Sequence, residues 1–589
     1  MKGQLLRGAT LAALLVALPG AAQPRPEEPA DTPVFLERLE VEIVNLDVVV
    51  TDAKGNPVEG LTREEFELRV DGEPTPIDNF YAVGPEQRAA TAPEEAPAGP
   101  AEEAMLGIVP PAQQELHLLV LFDNRHATPG ERKRVANDLA AAFEPGLEGR
   151  GRAAVAYYDG GIKVSQPFTS DGTALGAAIR ALGATGAVGY SDEFDRRNFL
   201  REIEQVELSD NNAEQEAQGI LGSIEIYGEQ KSADVRLTLA ALASQVDALA
   251  GLPGRKVLLY ITSGLDLQPT QALFAAWRNK FGQFPDLTKT ATLQLSTAHA
   301  DLGDRLREVT RRANAGRVSL YAIGTAGAGP AAGVSAEEGA FDFGALDTPG
   351  GGRNFDATVD SLMRANLGSG LELMAAVTGG DALTGSGNYD LIAERVQHDA
   401  GYRYSLGFRA PDGEPGVSHR MEVEVPGYKV RLRYRREFVT ATPAERASER
   451  TLAALLWGHA DNSIGVAADF YPAQPSDQGK DLFVLPILVK VPFVNLVLLP
   501  ERRFHRGQIT IFVVAEDEDG RLSPVQSVEA PIRIPTDRLA EALGGVGGYR
   551  VGLLVRRGPH RLAIGVRDEV GDVVSTIRLD HDVVSPGAT

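Results

Sequence analysis

Cysteine is absent from all 589 residues. Disulfides, thiolate metal sites and a cysteine-anchored lipid are therefore excluded, and stability must come from packed apolar cores. Histidine is scarce, at nine residues, and no two of them lie at a metal-ligand spacing. There is no His-Glu-x-x-His, no Gly-x-Ser-x-Gly elbow and no Walker loop, so the common catalytic signatures are missing. Positive charge is also short: 58 Lys and Arg face 81 Asp and Glu, a formal net charge of −23. Such a balance argues against nucleic acid or an anionic membrane surface as partner. Long unbroken apolar runs are lacking as well. The stretch FVLPILVKVPFVNLVLL, residues 483–499, is interrupted by Pro486, Lys490 and Pro492, and it reads as sandwich strands with no membrane span.

What is present is an ordinary globular composition, 43% hydrophobic and 24% charged. The length is enough for about three or four domains. The N-terminus, MKGQLLRGATLAALLVALPGAAQ, sets Lys2 and Arg7 before an apolar run that ends in small residues. This is the plan of a secretory signal peptide over 1–22, and it predicts a secreted or periplasmic protein.

Further along, VEIVNLDVVV is β-branched and alternating, Asp52–Gly55 is turn chemistry, and a small β domain is predicted over 33–83. Residues 84–114, rich in Pro, Ala and Glu, read as a linker. From 115 to 400 strands alternate with helices, and several strands are apolar throughout. That pattern implies a mostly parallel sheet covered on both faces. The β pattern returns over 401–440 as strands predicted to complete the first β domain. A helical connector spans 441–464, and 465–589 reads as a C-terminal β-sandwich of immunoglobulin-like type. The acids in its Asp-x-x-Gly turns, like those of 52–55, are better explained by turn chemistry than by calcium.

Several segments together carry a family resemblance: LHLLVLFD at 116–123, PFTSD at 167–171, GRKVLLYITSG at 254–264, VSLYAIG at 318–324 and AAVTGGDAL at 375–383. In order and spacing the chain resembles the bacterial secreted proteins related to the von Willebrand factor A domain, over roughly residues 40–440. The resemblance implies a doubly wound α/β domain, inserted in or flanked by a small β-sandwich, whose ligands sit at the carboxyl ends of the strands. It also implies a metal-ion-dependent adhesion site there, with a first loop Asp-x-Ser-x-Ser, a threonine and an aspartate from two further loops, and usually Mg²⁺. In this chain Asp123 matches the first aspartate, but Arg125 and Ala127 stand at the serine positions. The third-loop aspartate falls on Ser263-Gly264, with Asp266 a little late, and Thr185 or Ser232 stands for the threonine.

These departures point to a degenerate adhesion site and no cofactor, with Asp123 a weak candidate for Mg²⁺. Asp123, Arg125, His126, Thr185, Ser263 and Asp266 are the candidates for a ligand-binding edge. Two readings of Asp123 stay open. It either organises its turn through hydrogen bonds and an ion pair with Arg125 or His126, or it belongs to a remodelled site in which Arg125 replaces the metal's charge. Thr128-Pro129-Gly130-Glu131 has the form of a helix cap. Three inserted segments, 186–231, 265–300 and 326–366, read as elaborated loops on the same edge, the second carrying Trp277, Phe281 and Phe284. The functional expectation is an exported, non-catalytic protein that binds a protein partner. The alternatives are an exported hydrolase with an active site in the inserted loops, favoured by a paired His and Asp, and a structural cell-envelope component. With two of the first-loop ligands replaced, millimolar Mg²⁺ should raise the melting temperature by less than about one degree. A rise of several degrees that disappears in Asp123→Ala would show a working metal site.

Overall fold

The computed structural model describes residues 43–84, 115–127, 129–147, 151–185, 190–208, 212–284, 302–326, 352–411, 415–479 and 481–584. The expected signal peptide, the linker from 85 onward and Thr128 of the expected helix cap lie outside the described residues. The chain divides into two compact units, one of Ile43–His459 with Asp519–Arg521 and one holding Ala460–Glu518 and Leu522–Thr589.

In the first unit the chain opens with β1 (Ile43–Thr51), β2 (Glu67–Val70), β3 (Glu73–Pro74) and β4 (Asn79–Val83). An α/β layer follows: β5 (Leu116–Asp123), α1 (Pro129–Phe143), β6 (Gly151–Tyr158), β7 (Ile162–Thr169), α2 (Gly172–Ala184), α3 (Tyr190–Gln205), α4 (Ala213–Ala250), β8 (Arg255–Thr262) and α5 (Gln271–Phe281). The layer continues with helix α6 over 302–315, then β9 (Val318–Gly324), α7 (Gly352–Thr378), β10 (Ala382–Thr384) and α8 (Asp390–Gly401). The unit ends with β11 (Arg403–Arg409), β12 (Ser418–Glu424), β13 (Arg431–Arg433), β14 (Glu437–Val439) and α9 (Pro443–Trp457).

Flanking β segments from the two ends of this unit pair with each other. One sheet runs β13-β1-β11-β4 and a second runs β14-β12-β2-β3. In the first, Leu46 faces Leu406 across an antiparallel ladder, and in the second Met421 faces Val70. Alternation along β1 sends Val44, Leu46, Val48 and Val50 into a core shared with Phe408, Met421 and Phe438. The other side of β1 carries Asn45 and Asp47.

The six-stranded sheet runs β10-β9-β8-β5-β6-β7 and is parallel except for β7. Strands β5 and β8 are buried along their whole length, which is why their centres, LLVLF and VLLYI, read as continuous apolar runs. One face packs Leu139 of α1, Ile179 of α2 and Ile392 of α8. The other packs Leu242 of α4, Leu306 of α6, Met374 of α7 and Ala453 of α9. Helix α9 starts as its sequence demands: the Thr442 hydroxyl accepts from the Glu445 amide at 3.1 Å, and the Glu445 carboxylate accepts from the Thr442 amide at 2.8 Å.

Two inserted segments expected as loops are largely helical where described. Residues 190–205 are α3, and α4 begins at Ala213, inside the first inserted segment. Spacing such as Ile220-Leu221-Ile224 gives these polar stretches an apolar stripe. It meets α5, where Trp277 and Phe281 are fully buried and the Trp277 indole donates to the Ala217 carbonyl at 2.8 Å. Those aromatics are core, which corrects their assignment to a recognition loop. Of the third segment, 327–351 lies outside the described residues and 352–366 opens α7.

Among the described residues the second unit is built of β strands, with two 3-10 turns and one short helix, α10 (Leu539–Leu543). Its central strand LFVLPILVKVP alternates without a break, burying Phe483, Leu485, Ile487, Val489 and Val491 while Pro486, Lys490 and Pro492 stay outside. Two sheets supply its single apolar core.

Candidate functional site

The carboxyl ends of β5, β8 and β9 lie side by side, so the turns that follow them share one edge. Asp123 closes β5 with no exposed surface. One oxygen, Oδ1, accepts from the backbone N–H groups of Arg125 and His126 at 3.0 and 3.2 Å. The other, Oδ2, pairs with His126 Nδ1 at 2.8 Å and accepts from the Tyr260 hydroxyl at 2.6 Å and the Thr262 hydroxyl at 3.3 Å. Burial by itself pushes the Asp123 carboxyl up. Attraction to His126, with the hydrogen bonds from His126 and Tyr260, outweighs burial and holds it below the usual carboxylate range. Burial and then the Asp123 charge push the Tyr260 hydroxyl well above its ordinary value.

Arg125 contributes only its backbone here. Its guanidinium pairs with Asp234 of α4 at 3.1 Å on the half-exposed rim. The ion-pair partner of Asp123 is therefore His126, and the expected alternative through Arg125 is corrected: a planar fork two residues along the turn reaches outward.

A residue the sequence reading passed over ties the next turn in. Arg132 of α1 is 1% exposed, and its guanidinium donates to the Asn124 side-chain oxygen at 2.6 Å. It also donates to the Leu182 carbonyl, and to the Thr185 carbonyl at 2.7 Å and the Thr185 hydroxyl. Burial pushes its pKa down. Thr185, one of two threonine-position candidates, is thus held by a guanidinium, and its own hydroxyl donates to Leu182 at 2.9 Å. Ser232, the other, is buried along α4.

The turn after β8 is differently supplied. The hydroxyl of Ser263 and the side-chain oxygen of Gln268 are buried without a hydrogen-bond partner. Between them the half-buried Asp266 carboxylate accepts one bond, from the Gln268 amide at 2.8 Å. Burial so poorly compensated pushes the Asp266 carboxyl up to about 6. The edge therefore has a fully hydrogen-bonded half around Asp123 and Arg132 and an incompletely satisfied half at 263–268.

These residues do not fit a divalent ion at Asp123. Both carboxylate oxygens already accept hydrogen bonds, Arg125 and Ala127 offer no side-chain oxygen, and Thr185 binds a cation that belongs to the fold. Among the described residues, no group of three or more His, Cys, Asp or Glu is placed to hold a metal.

No family model matches the chain, and no curated protein matches it. Among solved structures it is similar to a von Willebrand factor type A protein from Catenulispora acidiphila, at 9% identity and TM-score 0.21, over 59% of this chain and 80% of that one. It is also similar to an aerotolerance-related membrane protein from Bacteroides fragilis, at 8% identity and TM-score 0.18, over 48% of this chain and 98% of that one. A third is the three N-terminal domains of the type V pili tip protein Mfa5 from Porphyromonas gingivalis, at 9% identity and TM-score 0.20, over 88% of this chain and 77% of that one. Among the described residues, no helix is long and apolar enough to cross a membrane.

The raised Asp266 pKa has a sign that can be checked. Folding favours the protonated acid, so the wild type loses stability as pH rises from the unfolded value near 4 through about 6. Asp266→Asn removes that penalty. Its melting temperature should match wild type at pH 4 and exceed it at pH 7.5. Equal melting temperatures at both pH values would mean that the acid is not held in a poorly compensated place.

Proposed function

We propose that the protein is an exported, non-catalytic binding protein that engages a protein partner through the carboxyl edge of its α/β domain. That domain is read as von Willebrand A-like, with a degenerate adhesion site and no metal cofactor, and the second unit as an immunoglobulin-like accessory sandwich. The observation that carries the reading is the incompletely satisfied half of the edge. The buried side-chain oxygens of Ser263 and Gln268 lack partners, and the half-buried Asp266 carboxylate beside them accepts a single bond. Holding a half-buried acid in that state costs stability, and polar groups kept unsatisfied on a rigid scaffold are groups available to a ligand. Arg125 and Asp234 on the rim supply both charges for orientation, and a basic side chain from a partner would complete Asp266.

One observation favours the hydrolase reading. His126 and Asp123 do form a His–carboxylate pair, one of the two pairings that the sequence left open. A serine hydrolase also needs a nucleophile hydrogen-bonded to that histidine. Ser263, the serine in the turn after β8, has no hydrogen-bond partner.

Capture from envelope extract with wild type, Asp266→Ala, Arg125→Ala and the distant Arg538→Ala tests the binding reading. A protein retained by wild type and Arg538→Ala should be lost or weakened about tenfold by Asp266→Ala, as for one charged interfacial contact. Retention by all four would place the interface elsewhere. Ester or amide hydrolysis lost in both His126→Ala and Ser263→Ala would replace the binding reading with the hydrolase.

A further inference from the structure

At the opposite, amino-terminal end of the α/β sheet lies a cleft of about 60 Å³ walled by the start of β8, the start of β9, the end of α7 and the outer side of β1, β11 and β13. Its lining includes Arg255, Arg317, Arg433 and Arg435, against one carboxylate, Asp47. In a chain of formal charge −23 this concentration of guanidinium groups runs against the composition.

The carboxylates nearby are already committed. Asp47 pairs with Arg403 at 3.2 Å. Asp399 is buried and takes a two-pronged pair from Arg433 at 2.7 and 2.8 Å, with the Tyr321 hydroxyl at 2.5 Å. Three guanidinium groups are left over. Arg255 donates to the Asp399 backbone carbonyl. Arg435 donates to the Asn314 and Asn45 carbonyls at 2.8 and 2.9 Å. Arg317 stands exposed at the mouth in a left-handed backbone conformation, φ 55°, which an arginine rarely adopts. Among the described residues, none of the three forms an ion pair with a carboxylate.

The placement of Arg435 is enforced by the backbone. Gly379 has φ +77°, and a Cβ there would stand 2.6 Å from the Arg435 amide nitrogen. Burial, followed by repulsion from Arg317, lowers the Arg435 pKa to about 9. Asp47, the one carboxylate of the lining, pairs with Arg403 and also attracts Arg255 and Arg435, so positive charge in this cleft outnumbers its internal counter-charge. Carbonyl oxygens satisfy hydrogen bonds there but leave the charge standing.

We propose that this cleft binds a phosphate-class oxyanion, free or as a phosphomonoester, clamped by Arg255, Arg317 and Arg435. A tetrahedral dianion matches guanidinium forks with several acceptor oxygens, whereas a monocarboxylate neutralises only one of the three charges. Because Arg255 and Arg317 belong to the α/β layer and Arg435 to the flanking β segments, the bound anion ties these two parts of the first unit together. This site is separate from the carboxyl edge, and its test does not depend on the binding reading given to that edge.

Calorimetry and thermal melting of the full chain test it, with sodium phosphate, methyl phosphate and sodium acetate at matched ionic strength. Inorganic phosphate should give saturable binding and raise the melting temperature, and acetate should do neither. Arg317→Ala, which removes an exposed side chain with no partner, should melt no lower than wild type without phosphate and should bind it about tenfold more weakly. Arg317→Lys should restore part of the loss. Methyl phosphate binding as well as phosphate identifies a pendant phosphoryl group as the ligand, and failure of methyl phosphate alone identifies the free ion; both support the site. No saturable response up to about 20 mM phosphate, an equal response to acetate, or unchanged affinity in Arg317→Ala would overturn it.

Discussion

A carboxylate with no exposed surface persists only where other donors replace its water, and Asp123 has five. Three come from its own turn, as two backbone amides and the His126 ring. Two come from the neighbouring strand β8, as the hydroxyls of Tyr260 and Thr262. The acid therefore fixes the direction in which the chain leaves β5 and locks β5 to β8 at the same point. Each of these bonds is charge-assisted, the strong class of protein hydrogen bond. Their sum outweighs the burial penalty, as the lowered Asp123 pKa records.

The consequence is an edge divided in two. On the Asp123 side, Arg132 carries a resident positive charge that holds the first turn to the end of α2 through Asn124, Leu182 and Thr185. A cation that belongs to the fold thus bridges these turns. Past Thr262 the chain has no such clamp, and Ser263, Asp266 and Gln268 remain incompletely satisfied. Rigidity on one side and unmet polar capacity on the other are what a binding edge needs.

Much of the layer was legible because its strands are buried on both faces. The segments LLVLF of β5 and VLLYI of β8 are continuously apolar, so both read as interior parallel strands, with Asp123 as the acid that ends one. Arg132 left a signal that went unread. In ERKRVANDLAAAF it shares a helical stripe with Val135, Ala136, Leu139 and Ala140, so a buried guanidinium was implied by spacing. Other features had no local signature. The Arg125–Asp234 pair spans more than a hundred residues, and the choice between Arg125 and His126 depended on which side chain could turn back. The first inserted segment reads as a loop because acidic residues dominate it, although Ile220, Leu221 and Ile224 carry a helical period. The cleft of arginines is assembled from segments nearly four hundred residues apart, and no local pattern foretells it.

The measurement that bears most directly on this account is a pair of double-mutant cycles on unfolding free energy, Asp123→Asn with Tyr260→Phe and Asp123→Asn with Arg125→Ala. If the acid organises the edge through its cage, the first cycle yields a coupling above about 1 kcal/mol, because each partner loses a charge-assisted bond only once. The second yields a coupling near zero, because the Arg125 side chain points away to Asp234. A stabilising Asp123→Asn with no coupling to Tyr260 would contradict the account and make the acid a ligand held ready at the expense of the fold.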